Sequence, residues 1–140
     1  MFVTRATRHD RDDIVDLLES NGWGDADVGR GTFFIARDGT VVGAVQVVEV
    51  EPQTLVFDNV LVCDGRRGQG IGGRVVQAAL NSRGGTVYLC CHAERLGFYE
   101  RLGFRKVAVD DAPLSVRGYW EEVGDHPTER GHVHHFLAAR

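Results

Sequence analysis

The segment whose residues most clearly suggest a binding site is rich in glycine and arginine and runs from Val60 to Gly73. An apolar strand is predicted up to Cys63, a glycine-rich turn follows, and a helix is predicted from Gly70. The first turn of a helix leaves about four backbone N–H groups without partners inside the helix, and it carries partial positive charge. Glycines let an anion approach those groups, so the pattern predicts a phosphate-binding site.

Three arginines, Arg66, Arg67 and Arg74, add positive charge around this turn. A P-loop would need a lysine after the last glycine, and none follows here. A dinucleotide-binding turn is expected after the first strand, whereas this turn follows the fourth predicted strand. At this point a second interpretation stays open, in which the glycines only shape a tight strand-to-helix turn.

The cysteines form a second group of residues that could react or bind a metal. Cys63, Cys90 and Cys91 are odd in number and two are adjacent, which does not fit a disulfide framework. We interpret them as small packing residues. The alternatives are a cysteine nucleophile and a zinc site that includes His92, although adjacent cysteines lack the usual zinc-ligand spacing.

Histidines near the end of the sequence also invite a metal interpretation, because His132 and His134 would alternate onto one strand face. His126 and His135 lie close by. We favour solvent-facing imidazoles on a closing strand, and we predict no metal cofactor.

The composition is that of a globular protein. Of 140 residues, 43% are apolar and 26% are charged, which fits one domain over residues 1–140. A net charge of -4 disfavours nucleic acid as a partner. The sequence has no signal peptide and no long apolar run, so we expect a cytoplasmic protein without membrane contact.

Strands and helices alternate along the sequence, as in α/β layered folds. The Asp38-Gly39 pair between two apolar runs predicts a hairpin. Strands are predicted over 2–7, 32–37, 41–50, 53–63, 86–91, 104–109 and 132–138, and helices over 9–20, 70–82 and 95–102. We interpret 21–31 as a loop and 110–131 as a long irregular segment.

Two motifs resemble the signatures of the GNAT superfamily of acetyltransferases. Arg67-Gly68-Gln69-Gly70-Ile71-Gly72 is similar to its pyrophosphate loop, Gln/Arg-x-x-Gly-x-Gly/Ala, and the segment Gly97–Phe104 is similar to its FYxxLGF signature. The resemblance implies an α/β (α+β) fold with a mixed, mostly antiparallel twisted sheet. That sheet has about seven strands, a central parallel pair that splays apart, and about three to four flanking helices.

The resemblance further implies that acetyl-CoA is the cosubstrate. Its pyrophosphate would lie at the start of the helix near Gly70, and N–H groups near Leu61 and Val62 would meet the pantetheine and the thioester oxygen. The implied cofactor-binding residues are Leu61, Val62, Arg67, Gly68, Gln69, Gly70, Ile71, Gly72, Gly73 and Phe98.

In the implied reaction an amine attacks the thioester directly, through a tetrahedral intermediate. Tyr99 occupies the tyrosine position of the second motif and is the implied acid for the leaving thiolate. The base stays open, because the strand that ends in a glutamate in some relatives ends here in Cys90, Cys91 and His92. The leading candidates for the base are His92 and Asp58. Asp58 would share a strand face with Val60.

Other bases also stay open, namely Glu49, Glu51 and a chain of water molecules. Trp120 with Glu121 and Glu122 could contact a cationic acceptor, or could form an exposed hairpin. The sequence thus indicates an N-acetyltransferase for an unidentified amine, which could form a homodimer. One alternative is a CoA-binding sensor without turnover; another is a nucleotide-binding protein outside this superfamily.

Overall fold

The structure is a computed structural model that describes residues 1–123 and 134–140. The strands are β1 (Phe2–Arg5), β2 (Thr32–Asp38), β3 (Thr40–Glu51), β4 (Thr54–Val62), β5 (Thr86–His92), β6 (Arg105–Val107) and β7 (His134–Ala139). The α-helices are α1 (Arg11–Ser20), α2 (Ile71–Ser82), α3 (Leu96–Arg101) and α4 (Leu114–Val123). No helix within these described residues has the length and apolar character needed to cross a membrane.

The seven strands form one mixed sheet in the order β1-β2-β3-β4-β5-β7-β6. Strands β4 and β5 run parallel, whereas β1–β2, β2–β3, β5–β7 and β6–β7 are antiparallel pairs. The predicted mixed sheet with a central parallel pair is therefore confirmed.

The chain divides into two compact units. The first unit contains residues Met1–Val48 and Phe57–Arg83, and the second contains Glu49–Val56 and Gly84–Arg140. That residues 1–140 make up a single domain stays a prediction.

In the first unit, α1 buries the apolar stripe that the sequence predicts. Ile14, Leu17 and Leu18 lie at helical spacing and pack in one core cluster with Phe33 and Ile35 of β2. The Asp38-Gly39 hairpin between β2 and β3 is also confirmed, with Gly39 at φ 78°. This geometry suits glycine, because other residues rarely adopt a positive φ.

Helix α2 lies very close to β3 because Gly43 has no side chain. A Cβ atom at Gly43 would lie 2.7 Å from Cγ2 of Ile71, the first residue of α2. Such a distance is too short for two carbon atoms without displacement. Gly43 therefore fixes how near the beginning of α2 approaches the strand.

In the second unit, β7 lies between β5 and β6. The parallel register between β4 and β5 runs from Thr54↔Thr86 to Val56↔Tyr88. The prediction that 86–91 is a strand is confirmed. Burial alternates along β5, and Val87 is buried whereas Tyr88 is half-buried, because this face of the strand is incompletely covered.

The segment after 109 contains the largest departure from the sequence-based prediction. The sequence predicts an irregular segment over 110–131, but α4 occupies Leu114–Val123, and Val116, Tyr119 and Trp120 are its buried residues. The part of that prediction over 124–131 lies outside the described residues. Strand β6 ends at Val107, because a 3₁₀ turn begins at Val109. The closing strand is confirmed from His134 onward.

Candidate functional site

The predicted phosphate loop joins β4 to α2 within the first unit. Gly65, Gly68 and Gly70 all have φ between 79° and 81°. Gly70 is the N-cap residue of α2, and no side chain forms a capping hydrogen bond there. The first-turn N–H groups of α2 therefore lack a side-chain cap, as expected where a bound anion takes that role.

The loop faces open space. A Cβ atom placed at Gly65, Gly68 or Gly70 would meet no other protein atom within 4 Å. Glycine is required at these positions by the positive φ and not by packing against the protein. The backbone of the loop is therefore accessible to a ligand at these three positions.

Arg67 crosses the loop and contacts the end of β4. Its Nε donates a hydrogen bond to the Val62 carbonyl at 3.1 Å, and Nη2 donates to Oδ1 of Asn21 at 3.1 Å. Nη1 also lies 3.1 Å from Oδ1 of Asp64. Because three partners hold the guanidinium, Arg67 connects the loop, β4 and the end of α1.

The other two arginines are arranged differently. Arg66 forms an ion pair with Asp38 at 2.9 Å, and its Nε donates to Oε1 of Gln69 at 3.1 Å. The side chain of Arg74 is exposed on α2. The positive charge predicted around the loop is thus partly compensated by Asp38 and Asp64.

A cavity of about 250 Å³ lies beside Arg67. Its lining consists of Ser20, Asn21, Leu61, Val62, Cys63, Asp64 and Arg67. The structure therefore brings three of the predicted cofactor-binding residues, Leu61, Val62 and Arg67, to one cavity.

The backbone of β4 assigns different directions to Leu61 and Val62. The N–H of Cys63 donates to the Val42 carbonyl of β3 at 2.9 Å. Because successive N–H groups of a strand point to opposite edges, the Val62 N–H points away from β3, and that of Leu61 points toward it. Val62 is thus the better placed of the two as a main-chain donor to a ligand.

Asp58 precedes an irregularity in β4. Asn59 has φ 49°, the left-handed region, and its N–H donates to Oδ1 of Asp58 at 2.8 Å. The prediction that Asp58 shares a face with Val60 assumes regular alternation, which a left-handed residue interrupts. Asp58 is half-buried.

Gln46 of β3 is a residue that sequence analysis missed. It is 2% exposed, and its amide contacts the turn before β2 and Asn59 of β4. The available signal was a single polar side chain within the apolar run of β3, because such a residue needs buried hydrogen-bond partners.

In the second unit, the FYxxLGF-like motif ends α3 and supplies core residues. Tyr99 is 5% exposed, and its ring centroid lies 5.7 Å from that of Phe104 and 4.9 Å from that of Phe98. Gly103 has φ 98°, which suits a helix end, and Phe104 is 1% exposed. Phe98 is half-buried.

His92 lies opposite His134 in the β5–β7 register, and their ring centroids are 4.5 Å apart in an edge-to-face arrangement. His135, like His134, is half-buried, so the expected solvent-facing imidazoles are only partly exposed. His126 and His132 lie outside the described residues. Within 1–123 and 134–140, no group of three or more His, Cys, Asp or Glu could hold a metal ion.

None of the three cysteines takes part in a disulfide. Cys91 is buried, whereas Cys63 and Cys90 are half-buried. Burial raises the pKa of the Cys91 thiol to about 11, and the nearby Arg95 offsets this only in part. A nucleophilic cysteine needs the thiolate form, so this environment opposes the nucleophile hypothesis at Cys91.

Trp120 does not lie on an exposed hairpin. It is 3% exposed and stacks on Phe136, with ring centroids 4.1 Å apart. The exposed-hairpin interpretation is wrong, because Trp120 lies on α4 and is buried in the second unit. That Trp120 contacts an acceptor stays a prediction. Glu121 and Glu122 are exposed.

The comparison with protein families identifies the class of protein. The sequence model described as "Acetyltransferase (GNAT) domain" matches residues 29–106, more than half of the chain. The match includes β4, the phosphate loop, α2 and the FYxxLGF-like motif. The chain belongs to the GNAT acetyltransferase family. No curated protein matches the sequence significantly.

Solved structures share the fold at low sequence identity. N-acetylglutamate synthase from Neisseria gonorrhoeae, complexed with coenzyme A and N-acetyl-glutamate, matches with TM-score 0.72 and 19% identity. The match covers 100% of this chain but only 35% of the synthase.

Two further matches span nearly the whole of both chains. An aminoglycoside 6'-N-acetyltransferase complexed with coenzyme A has TM-score 0.71 and 19% identity, covering 99% of this chain and 96% of that one. Rv2747 from Mycobacterium tuberculosis, in complex with CoA, has TM-score 0.72 and 18% identity, covering 99% and 98%. At such identities the matches establish the fold.

Proposed function

We propose that this protein is an N-acetyltransferase that transfers the acetyl group of acetyl-CoA to a primary amine of a small molecule or a protein. The observation that carries the proposal is the beginning of α2, where Gly70 provides no side-chain cap and the loop faces open space. Three similar structures hold coenzyme A, which supports the same ligand class here.

The residues at this site fit the chemistry of coenzyme A. Main-chain donors at a helix start suit its pyrophosphate, and the cavity beside Arg67 extends the site toward the end of β4. We assign the ligand to the predicted set, Leu61, Val62, Arg67, Gly68, Gln69, Gly70, Ile71, Gly72, Gly73 and Phe98. Within this set, Val62 is the leading donor from β4.

We further propose that the acetyl group passes directly to the amine, with no acetyl-cysteine. The raised pKa of Cys91 supports this, because it keeps the thiol protonated at neutral pH. Tyr99 is proposed as the acid for the departing thiolate, by its place in the FYxxLGF-like motif. A phenol with a pKa of about 10 needs close positioning for this role.

For the base we propose His92 or Asp58. His92 ends β5, and an imidazole is the side chain that most often acts as a general base. Asp58 accepts a hydrogen bond from its neighbour and adjoins the irregular point of β4. Separate His92→Gln and Asp58→Asn variants distinguish them, because the variant that lacks the base loses the acidic limb of its pH–rate profile, where protonation of the base lowers the rate.

The cytoplasmic location also belongs to this proposal. Three free thiols fit a reducing compartment, which is where acetyl-CoA would be met together with amines. The homodimer stays a prediction.

The proposal is tested by incubating the protein with acetyl-CoA and a panel of amines, including peptides, while thiol release is followed. We expect release that depends on at least one amine, with a mass increase of one acetyl group on that amine. Tight CoA binding without release across the panel would favour the sensor alternative. Stabilisation by ATP or NAD but not by acetyl-CoA would favour a nucleotide-binding protein.

A further inference from the structure

The side chain of Gln46 joins two segments that are distant in sequence. Its Nε2 donates to the carbonyls of Asp27 at 2.7 Å and Arg30 at 2.8 Å, and its Oε1 accepts from Nδ2 of Asn59 at 2.7 Å. Both N–H donors of the amide are therefore used, and Gln46 is only 2% exposed. Loss of a hydrogen bond at a position buried from solvent is costly, because the partner group is left buried and unsatisfied.

The first of these segments is the turn before β2. Arg30 N–H donates to the Asp27 carbonyl at 3.2 Å, and Gly29 N–H donates to Oδ1 of Asp27 at 3.1 Å. Gly31 then passes so close to β3 that a Cβ atom there would collide with the Val47 carbonyl. The turn is thus held against β3 both by contact and by Gln46.

The second segment is the irregular point of β4. Asn59 adopts φ 49°, a conformation that asparagine tolerates better than most residues. Its side-chain amide binds Gln46, so the same residue supplies the unusual backbone and its anchor. Val62, the leading donor to the ligand, follows three positions later, and its carbonyl accepts from Arg67.

We propose that Gln46 is a positioning residue that links the turn at 27–31 to Asn59, the residue of β4 with left-handed backbone, and thereby fixes the orientation of the β4 backbone at 60–62. The catalytic part of this inference rests on the proposed function. The phosphate loop at 65–73 is also held from outside this segment, because Arg66 forms an ion pair with Asp38. Loss of Gln46 therefore affects turnover more than it affects ligand affinity.

Two variants separate the contacts of Gln46 with the turn at 27–31 from its contact with Asn59. Gln46→Met keeps a side chain of similar length but removes both donors and the acceptor. Asn59→Gly removes only the side-chain amide that donates to Gln46. It keeps the left-handed backbone, because glycine adopts positive φ freely. Val76→Ala serves as the control, since Val76 is a fully buried residue of α2 in the same unit and lies outside both the partners of Gln46 and the segments 27–31 and 57–62.

We expect Gln46→Met to lower kcat by roughly ten- to a hundredfold, as small misplacements of reacting groups do. The Kd for acetyl-CoA should rise by a smaller factor than kcat falls, because the first-turn N–H groups of α2, which are proposed to bind the pyrophosphate, share no hydrogen-bond partner with Gln46. Hydrogen exchange should accelerate in both 27–31 and 57–62. In Asn59→Gly, exchange should accelerate in 57–62 alone, with a similar loss of kcat.

The inference is overturned if Gln46→Met retains wild-type kcat, or if its loss of kcat equals that of Val76→Ala at the same drop in Tm. Faster exchange in only one of the two segments of Gln46→Met also contradicts it. Should Gln46→Met fail to fold, Asn59→Gly decides the matter through kcat and exchange in 57–62. A wild-type protein without turnover contradicts the proposed function instead, and the exchange measurements still test the link between the two segments.

Discussion

The Nε atom of Arg67 donates a hydrogen bond to the Val62 carbonyl at 3.1 Å. This bond connects the phosphate loop to the end of the strand that is proposed to present a main-chain donor to the thioester end of the ligand. This hydrogen bond therefore couples the two proposed parts of the ligand site, which are the phosphate loop and the end of β4.

Substitution of Arg67 should weaken acetyl-CoA binding. Arg67→Ala removes the hydrogen bonds to Val62 and Asn21. We expect the free energy of acetyl-CoA binding to weaken by about 1 kcal/mol, a small effect because the Arg67 side chain is half exposed. This corresponds to roughly a fivefold rise in Kd, measured by isothermal titration calorimetry. Arg67→Lys should behave like Arg67→Ala because lysine cannot bridge both partners. Full affinity in the lysine variant would mean that charge alone acts there.

Substitution of Gly70 should reduce affinity beyond what backbone strain explains. Gly70 and Gly39 have nearly equal φ, 79° and 78°, and a Cβ at either position meets no protein atom within 4 Å. Gly70→Val and Gly39→Val should therefore lose similar stability, by about 1–2 kcal/mol. Only Gly70→Val should bind acetyl-CoA weakly, since its side chain would occupy the space of the pyrophosphate. Equal affinity in the two variants would place the phosphates elsewhere.

Removal of the Tyr99 hydroxyl should affect turnover and not binding. Tyr99→Phe keeps the ring that packs near Phe104. We expect kcat to fall by roughly a hundredfold, the typical contribution of a general acid, with an acetyl-CoA Kd within about twofold of wild type. Steady-state kinetics and calorimetry separate these quantities. An unchanged kcat would remove Tyr99 from the reaction.

The thiols should differ in reactivity with pH. With its pKa raised to about 11, Cys91 is almost wholly protonated at pH 8. An ordinary thiol, with a pKa of about 8.5, is partly ionised there. Timed alkylation with iodoacetamide, read by mass spectrometry, should modify Cys63 and Cys90 before Cys91. Modification of Cys91 first at pH 8 would contradict this environment.

The same pKa sets a direction for stability. Because the folded state holds the Cys91 proton more tightly than the unfolded state, the unfolded state ionises first as pH rises. The contribution of this thiol to stability is therefore constant at neutral pH and is lost between about pH 8.5 and 11. Cys91→Ala should show a smaller fall of Tm over this range than wild type.

Local sequence signals predicted most of the fold. The stripe on α1, the Asp38-Gly39 turn and the strand-to-helix loop before α2 all depend on neighbouring residues, and the structure confirms each of them. Helix α4 was missed although Val116, Tyr119 and Trp120 have helical spacing. Gly118 lies within that pattern and lowers helix propensity, so packing of the apolar face outweighs the local preference.

Parts of the candidate site could not be predicted because they depend on contacts between distant segments. Gln46 binds carbonyls that lie 16 and 19 positions away, and no local pattern specifies such partners. The compensation of Arg66 by Asp38 likewise requires the folded hairpin beside the loop. The motif located the phosphate loop, whereas the orientation of its arginines required the structure.

The central claim is that backbone N–H groups at the beginning of α2 bind the pyrophosphate of acetyl-CoA. A crystal structure of the complex with acetyl-CoA tests it most directly. We expect pyrophosphate oxygens about 2.7–3.2 Å from backbone nitrogens within the segment 68–73. Phosphates bound away from this segment, or a helix start closed by the protein's own side chains, would contradict the claim.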